Sequence, residues 1–585
     1  MKDMKKYISM IAASMMMASC LDTIILPDDK TVDEDFWQTK GDVAMMVNAA
    51  YQGMVAEDVM ERLIVWGDFR SDEVVLGSEA TGGVHDALEE MAAVNMQVTS
   101  TYADWSSIYS VINRCNIVLE RAAEVLDRDP NYTEGDYNVD RAHMLALRSL
   151  CYFYLVRNYR DVPYSDVAYM NSSQNTQIAQ SSPAYVLERC IADLEEAVKY
   201  AVNPRSYKVG EWRRVGWMTR DGINALLADI YLWRASVMHS AADYQKCVDY
   251  CNLVIESKRA QHVKGRNEVE EKEFPLADGD KAYTALFVDQ NAEESIFELQ
   301  SRSNVSICNY FYKWSANGNA YRNSSEGFFK ATNIFNRAAS TITGVGNSTV
   351  FAEQDLRYYA CRYKSSDEIS DVRKMVSNKD VTSKDLETRD GQMWTTANLN
   401  QNYIVYRLTD VMLMQAEALV ELAGEETAGT ANLAEAFHLV QAVNNRSLYA
   451  SNLTDSMKWT STYRNYTKSQ MEILVMQERL RELCFEGKRW YDLLRYNYRH
   501  VTGVDYTRTF GEQMDADASF QPVANFKDML TLATRGRGND GTTVRAKMRD
   551  ESTLYLPIPD RDIIVCPLLR QNPAYGSTNE YEKTY

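Results

Sequence analysis

Histidine is nearly missing from this chain. Six occur in 585 residues, scattered, with no HExxH or HxH spacing among them. That removes the common ligand sets of zinc hydrolases. No GxSxG elbow and no Walker loop occurs, and RGRGND at 535–540 lacks the Lys-Ser/Thr that phosphate chemistry requires after it. The ten cysteines include no CxxC pair, so a metal knuckle is not indicated. Basic runs are missing too. With a net charge of -19 the chain lacks the cationic face that nucleic acid demands, and no nucleic-acid partner is expected. Finally, no run of about 18 apolar residues follows Cys20, so the body is not expected to span a bilayer. A glycosidase needs only two carboxylates, and the sequence singles out no pair among its 82 acidic residues. No enzyme, cofactor or metal is expected, with a glycan-degrading enzyme kept as an alternative that the sequence itself does not decide.

The content of 45% hydrophobic and 25% charged residues is that of a globular chain able to bury a large core. Its start, MKDMKKYISMIAASMMMASC, has three lysines, an apolar run from Tyr7 to Met17, and the small residues Ala18 and Ser19 before Cys20. This is a secretory signal, expected to occupy residues 1–19. The cysteine after the small pair resembles a bacterial lipobox, which makes Cys20 the expected lipidation site. Several acyl chains there would tether the protein stably. The other nine cysteines sit mostly in apolar helical patterns, and buried free thiols are expected.

Helical periodicity dominates. Thr39 with Asp42 three residues later reads as a cap ahead of Val43, Met46, Val47, Ala50 and Met54 on one helical face. Ser182-Pro183 opens another helix, with Val186, Cys190, Leu194 and Val198 at four-residue steps. Successive helix pairs suggest tetratricopeptide-like units. A section of about 257–400 interrupts them, irregular and rich in Asn, Ser, Gly and Tyr. A loop section of that length inside a helical chain is more often functional than not; that it merely caps the bundle is the other reading.

One stretch stands out: QERLRELCFEGKRWYDLLRYN, residues 477–497. It reads as a single helix, with Leu480, Leu483, Gly487, Trp490 and Leu494 on one face. Gly487 on that seam suggests close approach of another backbone. Arg479, Glu482, Glu486 and Arg489 form a second stripe, and Arg481, Lys488, Asp492 and Arg495 a third. Each acid has a base within helical reach, so it is expected to stay ionised and structural rather than trade protons.

Several segments in order resemble the SusD/RagB family of nutrient-binding outer-membrane lipoproteins. They are TVDEDFWQTKGDVAMMVNAAYQGM after Cys20, ALRSLCYFYLVRNYRDVPY, RLTDVMLMQAEAL, RLRELCFEGKRWYDLLRY and YLPIPDRDIIVCPLLRQNPAYG. Where the family usually has glycine this chain has Arg160, so a different turn geometry is expected there. The resemblance implies a mainly α fold of four tetratricopeptide-like units. It implies one domain over 20–585: an N-terminal part to about 256, a loop-rich ligand section to about 400, and a C-terminal part beyond. It further implies a lipid-anchored protein on the outer membrane, passing an oligosaccharide, or in some branches a peptide, to a SusC-like TonB-dependent transporter. A pure assembly protein is a further alternative. In the closing segment Pro557 and Pro559 fix an extended path, and Pro567 and Pro573 forbid helix around them. That tail is expected to cross the bundle with Ile558 and Leu568 as apolar anchors and the 477–497 helix as its post.

A glycan site needs aromatic faces for ring C–H groups plus amides, carboxylates or guanidinium groups for hydroxyls. Two stretches offer both. NYFYKWSANGNAYRN supplies Tyr310, Tyr312, Trp314, Asn317, Asn319 and Tyr321, and in an extended strand Tyr310, Tyr312 and Trp314 would share one face; a strand burying that row is the alternative. WGDFRSDEV supplies Trp66, Asp68, Arg70 and Asp72, for which an aromatic packing anchor with a structural arginine is the competing reading. Trp105 reads mainly as core, and Trp394 is a further loop candidate.

Overall fold

The computed structural model describes residues 36–77, 82–262, 272–301, 328–335, 350–351, 355–357, 374, 401–424, 426–448, 466–526 and 541–576. Helix α1 (Lys40–Met54) starts as its sequence dictates: Thr39 accepts from the Asp42 N–H while Asp42 accepts from the Thr39 N–H, a reciprocal cap. Val43, Val47, Ala50 and Met54 are buried; each large aliphatic side chain removed from water contributes about 1.5–3 kcal/mol. After α2 (Glu57–Ile64) and α3 (Gly82–Ala92) come α4 (Ser106–Arg121), α5 (Glu134–Tyr159), α6 (Pro183–Tyr200), α7 (Arg220–Met238) and α8 (Ala241–Gln261). Ser182 and Pro183 open α6 as expected. Then follow α9 (Leu408–Leu422), α10 (Ala431–Arg446), α11 (Lys468–Leu483) and α12 (Arg489–Arg499).

Each long helix packs on the next: α1 on α4, α4 on α5, α5 on α6, α6 on α7, α7 on α8, α8 on α9, and α9 on α10 and α11. The pairs α1/α4, α5/α6, α7/α8 and α9/α10 are four helical-pair units around a shared core, the tetratricopeptide-like plan. Among the described residues three two-stranded antiparallel sheets attach to it: β1 (Val74–Leu76) with β5 (Phe329–Ala331), β2 (Val162–Pro163) with β3 (Gln180–Ser181), and β4 (Ser295–Leu299) with β6 (Tyr403–Arg407). Within the section expected to be irregular, SIFEL is therefore a strand, buried at all five positions. Seven described cysteines, from Cys115 to Cys566, are buried free thiols; Cys20, Cys308 and Cys361 lie outside the described residues. No helix among the described residues is long and apolar enough to cross a membrane.

The 477–497 stretch is two helices, not one. α11 ends at Leu483 and α12 begins at Arg489, with Phe485 at φ 62 and Gly487 at φ 71 between them. Gly487 is where the backbones meet: a Cβ built on Gly67 would lie 2.3 Å from the Gly487 carbonyl oxygen. Close approach was legible; the break was not.

At Arg160 the backbone takes the positive φ that glycine would allow, φ 65 and ψ -76. The Asp161 N–H donates to the Tyr159 carbonyl at 2.9 Å, closing a γ-turn of the strained kind. The arginine holds it by its side chain, pairing with Asp161 at 2.7 Å and Glu551 at 3.0 Å and lying 4.0 Å above the Phe510 ring. A turn that costs about 1–3 kcal/mol at a non-glycine residue is thus fixed from the far end of the chain.

The tail also departs from expectation. Ile558 is buried, but Leu568 is 51% exposed and Leu569 is the buried neighbour. The tail's posts are chiefly the end of α5, where the Leu556 N–H donates to the Asn158 carbonyl, and the start of α4, where Trp105 Nε1 donates to Asp562. α12 meets it through Tyr498, which donates to Glu551.

Candidate functional site

The aromatic stretch Tyr310, Tyr312, Trp314, Asn317, Asn319 and Tyr321 lies outside the described residues, as do Trp394 and Cys20. What the structure describes is how the two ends of that stretch are held. One end leaves β4, whose partner β6 places Asn402 to accept from the Ser301 N–H at 2.8 Å. The other end enters β5, where the Gly77 N–H donates to the Phe328 carbonyl at 2.7 Å.

Both feet converge on the break between α11 and α12. Tyr403 of β6 donates to the Glu486 carbonyl. On the β5 side, the Thr332 N–H donates to the Glu73 carbonyl and its hydroxyl to the Asp72 carbonyl. Asp72 in turn holds Arg489 at 2.7 Å, Glu73 accepts from the Phe485 N–H, and Asp68 accepts from the Gly487 N–H. The charged stretch is a clamp for the segment that carries the candidate aromatics.

Trp66, Asp68, Arg70 and Asp72 are all buried, which overturns their expected place at a ligand. Trp66 Nε1 donates to the Tyr102 carbonyl, and Arg70 donates to the Leu554 carbonyl and to Asn158. Their chemistry is directed inward because α2 and the turn after it run through the core, which is the packing reading the sequence also allowed. Trp105 is core as well.

Behind the clamp lies a buried ionic network that helical spacing only partly anticipates. Arg495 meets Asp492 along α12, and Arg481 meets Glu478 along α11. Most of the other partners are remote in sequence. Arg407 meets Glu482, Glu486 and Glu294; Lys374 meets Glu486; Arg357 meets Asp355, Glu478 and Glu482. Arg479 meets Asp410 and Asp492, and Arg495 and Arg499 share Glu417. Burial would raise Glu482, but Arg446, Arg407 and Arg357 outweigh it and hold that carboxyl well below the ordinary range. Asp410 is brought down to about 2 in the same way, Lys488 and Arg479 outweighing burial. Glu482 is thus held ionised as expected, but by cations remote in sequence rather than by its helical neighbours. A recess beside Tyr283, Leu286 and Phe287 is floored by Arg357, Lys374, Arg407 and Arg446, but those cations already face carboxylates and offer no charge to a ligand.

Asp68 and Glu73 behave oppositely. Burial pushes Asp68 up to about 7 against the Gly487 N–H, and burial plus the Asp68 charge pushes Glu73 well above its usual value. Glu486, Lys374, Cys484 and Arg489 are the other groups facing the pair. A carboxyl raised on folding contributes stability below its unfolded value, and that contribution is lost as pH rises through the folded value, here from about 4 to about 7 and beyond. Glu73→Gln keeps an acceptor for Phe485 and removes one charge. It is expected to raise the urea midpoint at pH 8 relative to the parent and to leave it nearly unchanged at pH 5; equal shifts at both pH values would contradict a shared-charge origin.

Two family models cover this architecture end to end. One, described as "Starch-binding associating with outer membrane", matches residues 26–232, and the other, "SusD family", matches residues 265–575. The chain belongs to the SusD family. Among its relatives, SusD-like protein P2 of Formosa agariphila is 25% identical over 510 residues, spanning 84% of this chain and 91% of the relative. SusD-like protein P38 of the same organism is 22% identical over 499 residues, 80% of this chain and 86% of its own. A SusD homolog from Bacteroides thetaiotaomicron superposes with a TM-score of 0.65 at 18% identity, covering 92% of this chain and 98% of that one. NanU of B. fragilis does so at 0.61 and 16%, covering 94% and 100%. The protein is thus a nutrient-binding SusD-like protein, associated with the outer membrane as its family is, and its family consists generally of binders rather than enzymes.

Proposed function

We propose that this SusD-like protein captures an oligosaccharide at the cell surface and hands it to a SusC-like TonB-dependent transporter. It is tethered through Cys20 as a single domain over 20–585. The observation that carries this reading is the pair of small sheets that fix both feet of 302–327, in a chain that matches the family along nearly its whole length. An aromatic-rich segment held so firmly at its ends is suited to presenting Tyr310, Tyr312 and Trp314 as stacking faces, with Asn317, Asn319 and Tyr321 for sugar hydroxyls. The position of its feet supports the same reading. Residues 37–40 meet the start of α5, through Lys40–Asp136 and through Arg128 donating to the Trp37 carbonyl. β1 and β5 sit at its other end, reached through Arg70 and Asn158. With 26 residues, α5 separates the two poles by about 39 Å, at about 1.5 Å per residue.

Calorimetric titration with a panel of oligosaccharides and peptides tests the reading. Saturable glycan binding is expected, with Trp314→Ala weakening it about 5- to 30-fold, the effect of one stacked ring of about 1–2 kcal/mol. Binding of peptides alone would select the peptide-uptake branch, and product release from any glycan would make the protein an enzyme.

A further inference from the structure

The acidic surface of this chain has a local exception at the tethered pole. α6 runs antiparallel to α5, with Glu196 3.1 Å from Arg141 near the start of α5, so the chain leaving Tyr200 emerges where residues 37–40 enter. The segment 203–220 that follows holds five basic residues, Arg205, Lys208, Arg213, Arg214 and Arg220, against one acid, Glu211. Its base is rigid: Trp217 packs edge-on to His143 at 4.8 Å, the Met218 N–H donates to Tyr51, and buried Arg214 donates to Gln261. Its tip projects. Arg205, Ser206, Lys208, Val209 and Gly210 are exposed, Val209 by 58%, with Gly210 turning the chain at φ 79. Arg213 is paired with Glu211 and lies over the half-buried Tyr207 ring, whereas Arg205 and Lys208 carry no ion pair among the described residues. Of the acids in the 127–136 turn at this pole, Asp136 is paired with Lys40 and Asp129 accepts from the Lys40 N–H.

We propose that the loop Arg205–Arg213 docks on the membrane surface, with Arg205 and Lys208 on anionic lipid phosphates and Val209 in the headgroup layer. The inference rests on the tether proposed above. Charge complementarity and a shared pole with the incoming chain favour lipid over a protein partner, and cations next to aromatic and aliphatic groups suit an interface. Docking there would orient the body so that the feet of 302–327 point away from the bilayer.

The test places an environment-sensitive fluorophore on the purified full chain at Val209→Cys, or at Leu568→Cys near the opposite end of α5, and adds vesicles containing phosphatidylglycerol. A blue shift is expected at 209 and none at 568. Arg205→Gln with Lys208→Gln should weaken vesicle affinity about 25-fold, at about 1 kcal/mol for each surface cation. Protein that floats with vesicles while 209 stays unshifted overturns the docking and leaves the tether intact. Mass analysis of Cys20 reads the tether separately; if it is not acylated, the same probe is read at low salt, and no shift there overturns the docking too. A shift at 209 only when a barrel transporter is present would assign the loop to a protein partner and overturn the lipid assignment.

Discussion

Arg407→Met is expected to lower the stability of the protein by about 3–5 kcal/mol, the usual result of removing one partner from a buried ion pair. Urea unfolding measures it. Arg407 is the hub of the network: it donates to Glu486 at 2.7 and 2.9 Å, to the Glu482 carbonyl at 2.7 Å, and pairs with the Glu482 carboxylate. Methionine fills much of the space but leaves Glu482, Glu486 and Glu294 each with one cation fewer. Adding Glu486→Gln to Arg407→Met should recover part of the loss, since one of the stranded charges is gone. The pH dependence has a definite sign. Glu478, Glu482 and Glu486 titrate below their ordinary values because their cations outweigh burial. Their contribution is full above the unfolded carboxylate range and is lost as pH falls from about 4 downward. Arg407→Met should therefore move acid unfolding to a higher pH.

Gly487→Ala is expected to cost about 2–5 kcal/mol, for two separable reasons. A side chain at φ 71 costs about 1–2 kcal/mol by itself, and the new Cβ would sit 2.3 Å from Tyr403 Oη and 3.2 Å from the Leu63 carbonyl oxygen, in a buried site, where overpacking adds about 1–3 kcal/mol. Gly424→Ala isolates the first part: its φ is 73, and a Cβ there meets nothing within 4 Å. A Gly487 variant no less stable than the Gly424 variant would mean that the crossing is loose and that no clamp exists. Because Tyr403 lies on β6, glycan affinity should fall with stability in the Gly487 variant and stay unchanged in the Gly424 variant.

Local chemistry was legible in the sequence. Thr39 and Ser182 open helices because a hydroxyl beside an unsatisfied N–H acts within three residues, and Gly487 betrayed a crossing because only glycine tolerates one. The break at 484–488 was hidden, since Phe485 and Glu486 are ordinary helix residues and the positive φ at Phe485 is imposed by tertiary contacts. The ion partners were hidden for a related reason. Asp72 lies 417 residues before Arg489, and only the fold brings them together. Arg160, read as standing where the family has glycine, takes a positive φ and is itself the buried cation that secures the turn. Leu568 and Leu569 exchanged roles because prolines fix a path without fixing which neighbour faces inward. The four residues Trp66, Asp68, Arg70 and Asp72 looked like a sugar site because buried hydrogen-bonding groups and ligand groups are drawn from the same residue types.

The tail has a further consequence for biogenesis. Arg70, Asn158, Arg160 and Trp105, all in the first third of the chain, find buried partners in Leu554, Leu556, Glu551 and Asp562. Until the last few dozen residues have been synthesised, two guanidinium groups and an indole N–H lack those acceptors, and the early helices cannot close. The segment 551–562 thus acts as a latch that joins the early helices only after it has itself been synthesised.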